Sequence, residues 1–110
     1  MIEIMYRYEV HPTQVRAFEH AYGPSGPWAA LFREYPGYRR TRLFRHRHQP
    51  GFYVCVDVWE DKAAFDAFRE AAAERYAQMS RDYRMLYIEE LLLGYYEGEQ
   101  EYQPAPPAQG

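Results

Sequence analysis

The sequence predicts an α+β domain of ferredoxin-like order, βαββαβ, with a four-stranded antiparallel sheet and helices packed on one face. Three observations carry that expectation. Residues alternate in polarity over Ile2–Val10, Tyr38–His46, Phe52–Trp59 and Leu86–Tyr96; apolar residues recur at three- and four-residue steps in the segments after the first and third of these runs; and proline, glycine or a capping residue stands at most junctions.

Taken in order, Ile2, Ile4, Tyr6, Tyr8 and Val10 share one parity while Glu3, Arg7 and Glu9 take the other, as in a strand with one buried face. His11-Pro12-Thr13 ends it, since proline has no N–H to give to a ladder. Val15, Phe18, Ala21 and Tyr22 form a short helical stripe, stopped by YGPSGPW. Pro27 suits the first residue of a second helix, whose stripe is Trp28, Leu31, Phe32 and Tyr35, and Pro36-Gly37 closes it. The second and third strands flank a turn at HQPG, residues 48–51, and predict an antiparallel hairpin. Asp61 suits the cap of one long helix reaching about Arg84, with Phe65, Phe68, Ala72, Tyr76 and Met79 inward. Residues 1–97 thus read as one domain. The tail from residue 98 to 110 has little to bury and is expected to be mobile.

A chain of 110 residues supports one core, and 47% hydrophobic with 26% charged residues is a globular composition. A net charge of -3 gives no general attraction to nucleic acid or anionic membrane. One cysteine, Cys55, rules out an internal disulfide and a thiolate zinc cluster. With no secretory pattern at the start and no spanning apolar run, a soluble cytoplasmic protein is the expectation. Aromatic residues make up 18%, Tyr 12 among them, which favours half-buried surfaces and pockets.

A sheet with helices on one side leaves a second face bare, and both parities here carry apolar residues, so a homodimer packed sheet to sheet is expected. In YVCVDVWEDKAAFDAF, residues 53–68, the valines at 54, 56 and 58 are expected against the helices. Tyr53, Cys55, Asp57 and Trp59 would then look into the other face, together with Arg42, Phe44 and His46 from the neighbouring strand. A turn of residues 48–51 sets Arg42 opposite Asp57, where each would keep the other charged. That pair suits either a structural cross-strand link or contact with a small-molecule ligand; both readings stay open.

With PGYRRTRLFR before it and Trp28 and Phe32 on a short helix, this run resembles the antibiotic biosynthesis monooxygenase (ABM) domain family over residues 2 to 97. The most specific element is Asp57, any residue, then Trp59, followed by Ala64-Phe65 early in a helix. The resemblance implies a homodimeric α+β barrel with a cavity in each protomer between sheet and helices. It also implies an activity among several: cofactor-free oxygenation of aromatic compounds, haem degradation or isomerisation. The haem-degrading members resemble this chain least, since Tyr6, Phe68 and Gln78 stand near their asparagine, tryptophan and haem-ligating histidine. In the cofactor-free oxygenases a strand tryptophan is implicated, and Trp59 matches it. The expectation is a cofactor-independent monooxygenase of a small aromatic or quinol-like compound, the alternative a non-catalytic binding or dimerisation module. The candidate catalytic residues are Arg42, His46 and Asp57; the candidate lining is Tyr6, Phe44, Tyr53, Cys55, Trp59 and Phe65.

Other patterns carry less. YRRTRLFRHRH is locally basic, but strand alternation sends its charges to opposite faces, which argues against nucleic-acid binding. His46 and His48 lack a third metal ligand and read as turn residues. Cys55 between valines reads as a small buried residue. No phosphate-binding glycine loop occurs, so neither a nucleotide cofactor nor a metal is expected.

Overall fold

The computed structural model describes residues 1–98; the expected tail lies, beyond Gly98, outside the described residues. The elements run β1 (Ile2–Val10), α1 (Val15–Tyr22), α2 (Pro27–Arg33), β2 (Tyr38–Arg45), β3 (Phe52–Trp59), α3 (Lys62–Ala71), α4 (Ala73–Tyr83), a single 3₁₀ turn (Arg84–Leu86) and β4 (Tyr87–Glu97). The sheet is antiparallel in the order β2-β3-β1-β4. This is the ferredoxin-like arrangement, with the helices over one face.

The local signals work as their chemistry requires. Pro27 opens α2, where its missing N–H costs nothing. The Asp61 carboxylate accepts from the Ala64 N–H at 2.8 Å and caps α3. Gly37 sits at φ 91°, and a Cβ there would come within 2.5 Å of the Ala64 Cβ, so only glycine lets the start of β2 approach α3.

The expected long helix is two. Ala72, 1% exposed, departs to φ -101°, ψ 15° between α3 and α4. Its N–H still reaches the Phe68 carbonyl, and the Tyr76 N–H reaches the Ala72 carbonyl, both at 2.8 Å. These two bonds span the break in the helix. Phe65 and Phe68 of α3 are fully buried, whereas α4 buries no residue completely and rests on Tyr76, Met79 and Tyr83.

The faces of β3 are the reverse of those expected from its valines. Tyr53, Cys55, Asp57 and Trp59 pair with Tyr8, Tyr6, Ile4 and Ile2 of β1 and share the helix-covered face with them. Val54, Val56 and Val58 lie on the open face. Val56 and Val58 are nevertheless buried, because Met5 and Arg42 flank one, Glu3 and Arg40 the other. The reason for the reversal is space: large aromatic side chains fill the gap between sheet and helices, which valines cannot span. Trp59, 0% exposed, sits at the centre, 5.0 to 5.8 Å from the rings of Phe32, Tyr38, Phe65 and Phe68.

The hairpin register also differs by one residue. Thr41 is the partner of Asp57, and Arg42 is opposite Val56. Arg42 and Phe44 lie on the open face, where they are expected; Asp57 is on the covered face, so the expected Arg42–Asp57 pair does not form. The cause lies in the loop, which spans 46–51. Its first residue, His46, accepts through Nδ1 from the backbone N–H groups of His48 and Gln49, at 3.0 and 2.9 Å, and so builds the turn.

Strand β4 carries two irregularities. Ladder partners shift between Met5 and Tyr6, leaving Leu93 as an extra residue beside Gly94, and again between Glu9 and Val10, leaving Ile88 extra. As a result Tyr95, Leu92, Glu90 and Tyr87 all lie on the helix-covered face.

Candidate active site

Between the sheet and α1, α2 and α4 lies a cavity of about 80 Å³. From the sheet it is lined by Tyr6, Tyr8, Cys55 and Asp57, with Tyr87 and Glu90 of β4 at one side. The helices contribute Tyr22, Trp28, Phe32, Tyr76 and Ser80. The register of β1 against β3 explains the floor: Tyr6 faces Cys55 across one rung, and Asp57 follows two residues along the same face.

Asp57 is the chemically distinctive group. Its accessible surface opens only partly, onto the cavity, and the carboxyl lies deep beneath protein atoms. Desolvation pushes it up from 3.8 to about 6, opposed by a hydrogen bond from the Thr41 hydroxyl to Oδ1 at 2.6 Å. The Thr41 Oγ1 is in turn 2.7 Å from the hydroxyl of Tyr38, which is half-buried. The second lining carboxylate, Glu90, accepts from the Tyr8 hydroxyl at 2.7 Å. Burial, reinforced by Glu90, holds the Tyr8 hydroxyl well above its ordinary range. Tyr6, Tyr22 and Tyr76 are likewise raised, chiefly by burial, so these tyrosines are neutral donors at physiological pH.

No basic side chain lines the cavity among the described residues. Arg69 and Arg84 stay outside its lining, stacked 4.0 and 4.7 Å from the ring centres of Tyr76 and Tyr87. The indole N–H of Trp28 is buried and has no hydrogen-bond partner among the described residues. Such a donor costs about 1–3 kcal/mol when left unpaired. The buried Trp59 N–H, away from the cavity, is likewise unpaired among the described residues, and the Trp28 N–H is near enough to the Tyr22 hydroxyl to favour its ionised form.

Of the candidates named from sequence, Tyr6, Cys55 and Asp57 are brought together at the cavity. Trp59 and Phe65 pack in the core beside it, 5.7 Å apart, and do not line it. Tyr53 ties β3 to α1, its hydroxyl donating to Glu19 Oε2 at 2.6 Å. Arg42 and Phe44 are exposed on the open face, 4.9 Å from guanidinium to ring centre, and His46 is in the hairpin turn. The Cys55 thiol, pushed well up by burial and lying 3.8 Å from the Tyr22 carbonyl, is a packed residue. Among the described residues no three His, Cys, Asp or Glu side chains gather as metal ligands would. Sequence reasoning missed Thr41, Trp28 and Glu90 as site residues. Trp28 was visible on the stripe of α2, and Thr41 is the one uncharged polar residue of YRRTRLFR.

Residues 1–79 match the sequence profile of the family described as antibiotic biosynthesis monooxygenase. The chain belongs to that family. As an ABM protein it is similar in structure to a variant of SnoaB, a cofactor-independent oxygenase from Streptomyces nogalater, at 27% identity and TM-score 0.71, covering 91% of this chain and 94% of that one. It is also similar to HapK from Hahella chejuensis, at 25% identity and TM-score 0.64 over 96% and 100% of the two chains. PA3566 from Pseudomonas aeruginosa shares the fold at 20% identity and TM-score 0.57, with 94% of each chain covered. No curated protein matches the sequence. The cavity lies between sheet and helices, not on the open face expected from the valines. No described helix of this ABM protein is long and apolar enough to cross a membrane.

Proposed function

We propose that this ABM protein is a cofactor-independent monooxygenase of a small aromatic or quinol-like compound, with Asp57 as the general base. The observation that carries this reading is a carboxylate raised to about 6 in a cavity lined mainly by aromatic rings and without a lining cation. A base poised near neutral pH is ionised enough to act and basic enough to take a phenolic or benzylic proton. SnoaB, to which the chain is similar, is described as a cofactor-independent oxygenase, which supports the same chemistry.

The reaction balances without a further redox partner. Asp57 takes a proton from an activated ring CH₂, and the carbanion passes one electron to dioxygen. The radical and superoxide combine into a peroxide anion, which regains the proton from Asp57. Asp57 then removes the remaining C–H proton as the O–O bond breaks, leaving a carbonyl; the departing hydroxide takes that proton and leaves as water. Trp28 N–H and the tyrosine hydroxyls are suited to hold the substrate oxygen on which charge develops.

The size of the cavity bears on this. A cavity of about 150 Å³ takes up benzene, and this one is about half that. Admission of a ring therefore requires movement, and α4, bent at Ala72 and without a fully buried residue, is the element to yield. The same small size favours the second reading, a binding module without chemistry. The homodimer is also proposed, through the open sheet face and β4, where Leu91, Leu93 and Tyr96 are each at least 40% exposed.

The test is oxygen uptake by purified protein, free of flavin and metal, with a panel of hydroxylated aromatic CH₂ compounds. Turnover that falls about 10²- to 10⁴-fold in Asp57→Asn supports the reading. Binding of such compounds with no turnover across the panel would leave the binding module.

A further inference from the structure

The hydroxyl chain from Tyr38 through Thr41 ends on the one carboxylate that the proposed reaction uses, and it is built from buried polar groups the fold did not need. Thr41 is the buried polar residue of the core, 6% exposed, at a position where β2 could have placed a valine. Its single proton is committed to Asp57 Oδ1, at 2.6 Å. The bond to Tyr38, at 2.7 Å, then has the tyrosine as donor, so both protons of the chain point toward the carboxylate. Among the described residues no protein donor meets Oδ2.

We propose that Thr41, backed by Tyr38, is the positioning residue for Asp57: it fixes the carboxyl rotamer through Oδ1, leaves Oδ2 to the cavity, and holds the group in its ionised form. This rests on the reading of Asp57 as a base, but the device itself is a property of the unliganded protein. Without a donor, desolvation would carry a carboxylate at this depth further toward its protonated form. A donated hydrogen bond stabilises the anion, and a second hydroxyl donating to the first polarises it further. The surroundings offer no other source of that stabilisation. Facing Asp57 are Cys55 along β3, Tyr6 from β1, Tyr38 from β2 and Tyr76 from α4, all groups that are neutral or become anions, and Glu90 across the cavity. Arg33 acts on Tyr38 and Arg69 on Tyr76 rather than on the carboxylate.

The experiment is carbon-13 NMR of aspartate-labelled protein without substrate, with Asp57→Asn assigning the resonance, in wild type, Thr41→Val, Thr41→Ser and Tyr38→Phe. Thr41→Val keeps the shape and removes the donor. It is expected to raise the Asp57 midpoint by about one pH unit, a tenfold loss of the ionised form at a given acid pH. Thr41→Ser should restore the wild-type midpoint. Tyr38→Phe should raise it by a smaller step, and should do nothing further in the Thr41→Val background, since it acts through Thr41. An unchanged midpoint in Thr41→Val overturns the proposal. Should that variant not fold, Tyr38→Phe decides in its place, and an unchanged midpoint there does the same. The acid limb of oxygen uptake should follow the NMR midpoints. If the midpoints move as expected and no substrate is oxidised, the positioning role stands and the oxygenase reading fails; if turnover is found and the midpoints are fixed, the reverse holds.

Discussion

The two faces of the one sheet use the same strands for opposite ends. On the covered face, Ile2, Ile4, Tyr8, Tyr53 and Trp59 are each no more than 4% exposed, and the last three meet aromatic rings from the helices. On the open face, Arg40, Arg42 and Phe44 of β2 reach solvent and cover the valines between them. At the cavity the covered face sets hydrogen-bonded carboxylates, Asp57 with Thr41 behind it and Glu90 with Tyr8. The open face keeps its polar groups as long side chains over a smooth aliphatic layer. The comparison teaches that a buried charge was placed where rings exclude water, and that the valine face is suited to meeting another surface.

Four changes break or sharpen that contrast. The largest effect on stability is expected from Trp59→Ala, which removes the centre of the covered face. A loss of about 3–5 kcal/mol should appear in urea unfolding.

Asp57→Asn comes next, and its sign is opposite. The folded protein binds the Asp57 proton more tightly than the unfolded chain, since the group rises from 3.8 to about 6. The protonated form therefore stabilises the fold fully below about pH 4, and that contribution is lost as pH rises through 6. The loss between about pH 4 and neutral pH amounts to about 3 kcal/mol. Urea unfolding of the wild type should weaken over this window, and the variant should lack the slope. A wild-type curve that strengthens with pH there, after other carboxylates are accounted for by the variant, contradicts the desolvated carboxylate.

A charge on the open face, Leu91→Lys, should convert the proposed dimer to monomer in analytical ultracentrifugation while leaving the Asp57 midpoint alone. A protein already monomeric at working concentration removes the need for this face as an interface. The smallest effect belongs to Arg42→Ala. Its change in stability should stay within about 0.5 kcal/mol, as at other exposed positions, with the Asp57 midpoint unmoved. A shift in that midpoint would restore the ion pair that strand pairing alone suggested.

Element order and type were legible because proline, glycine and Asp61 punctuate strong periodicities, but which face of β1 lines the cavity was not. What could not be read was register. A turn of residues 48–51 would set Arg47 opposite Phe52, whereas here the His46 N–H meets the Phe52 carbonyl at 2.8 Å, and that one-residue step decides whether Arg42 or Thr41 meets Asp57. β-branched side chains fit either face, so the valines gave no orientation; the gap to be filled by Trp59 and Tyr53 decided it. The break at Ala72 leaves no trace in the apolar stripe. Cavity residues from α2 and α4 looked like ordinary core, because a ring that lines a small void and a ring that fills one have the same periodicity.

The extra residues of β4 have a consequence for how this strand can change length. Leu93 and Ile88 stand outside the regular ladder, so Tyr95, Leu92, Glu90 and Tyr87 reach one face only because these two are stepped over. Loss of Leu93 by deletion would heal one irregularity and leave Glu90 and Tyr95 facing inward. The same deletion at Val56, in the regular ladder of β3 with β1, would turn either Cys55 or Asp57 away from the cavity. The edge strand is thus the place where this sheet can gain or lose a codon and keep its site, and the central strand is where it cannot.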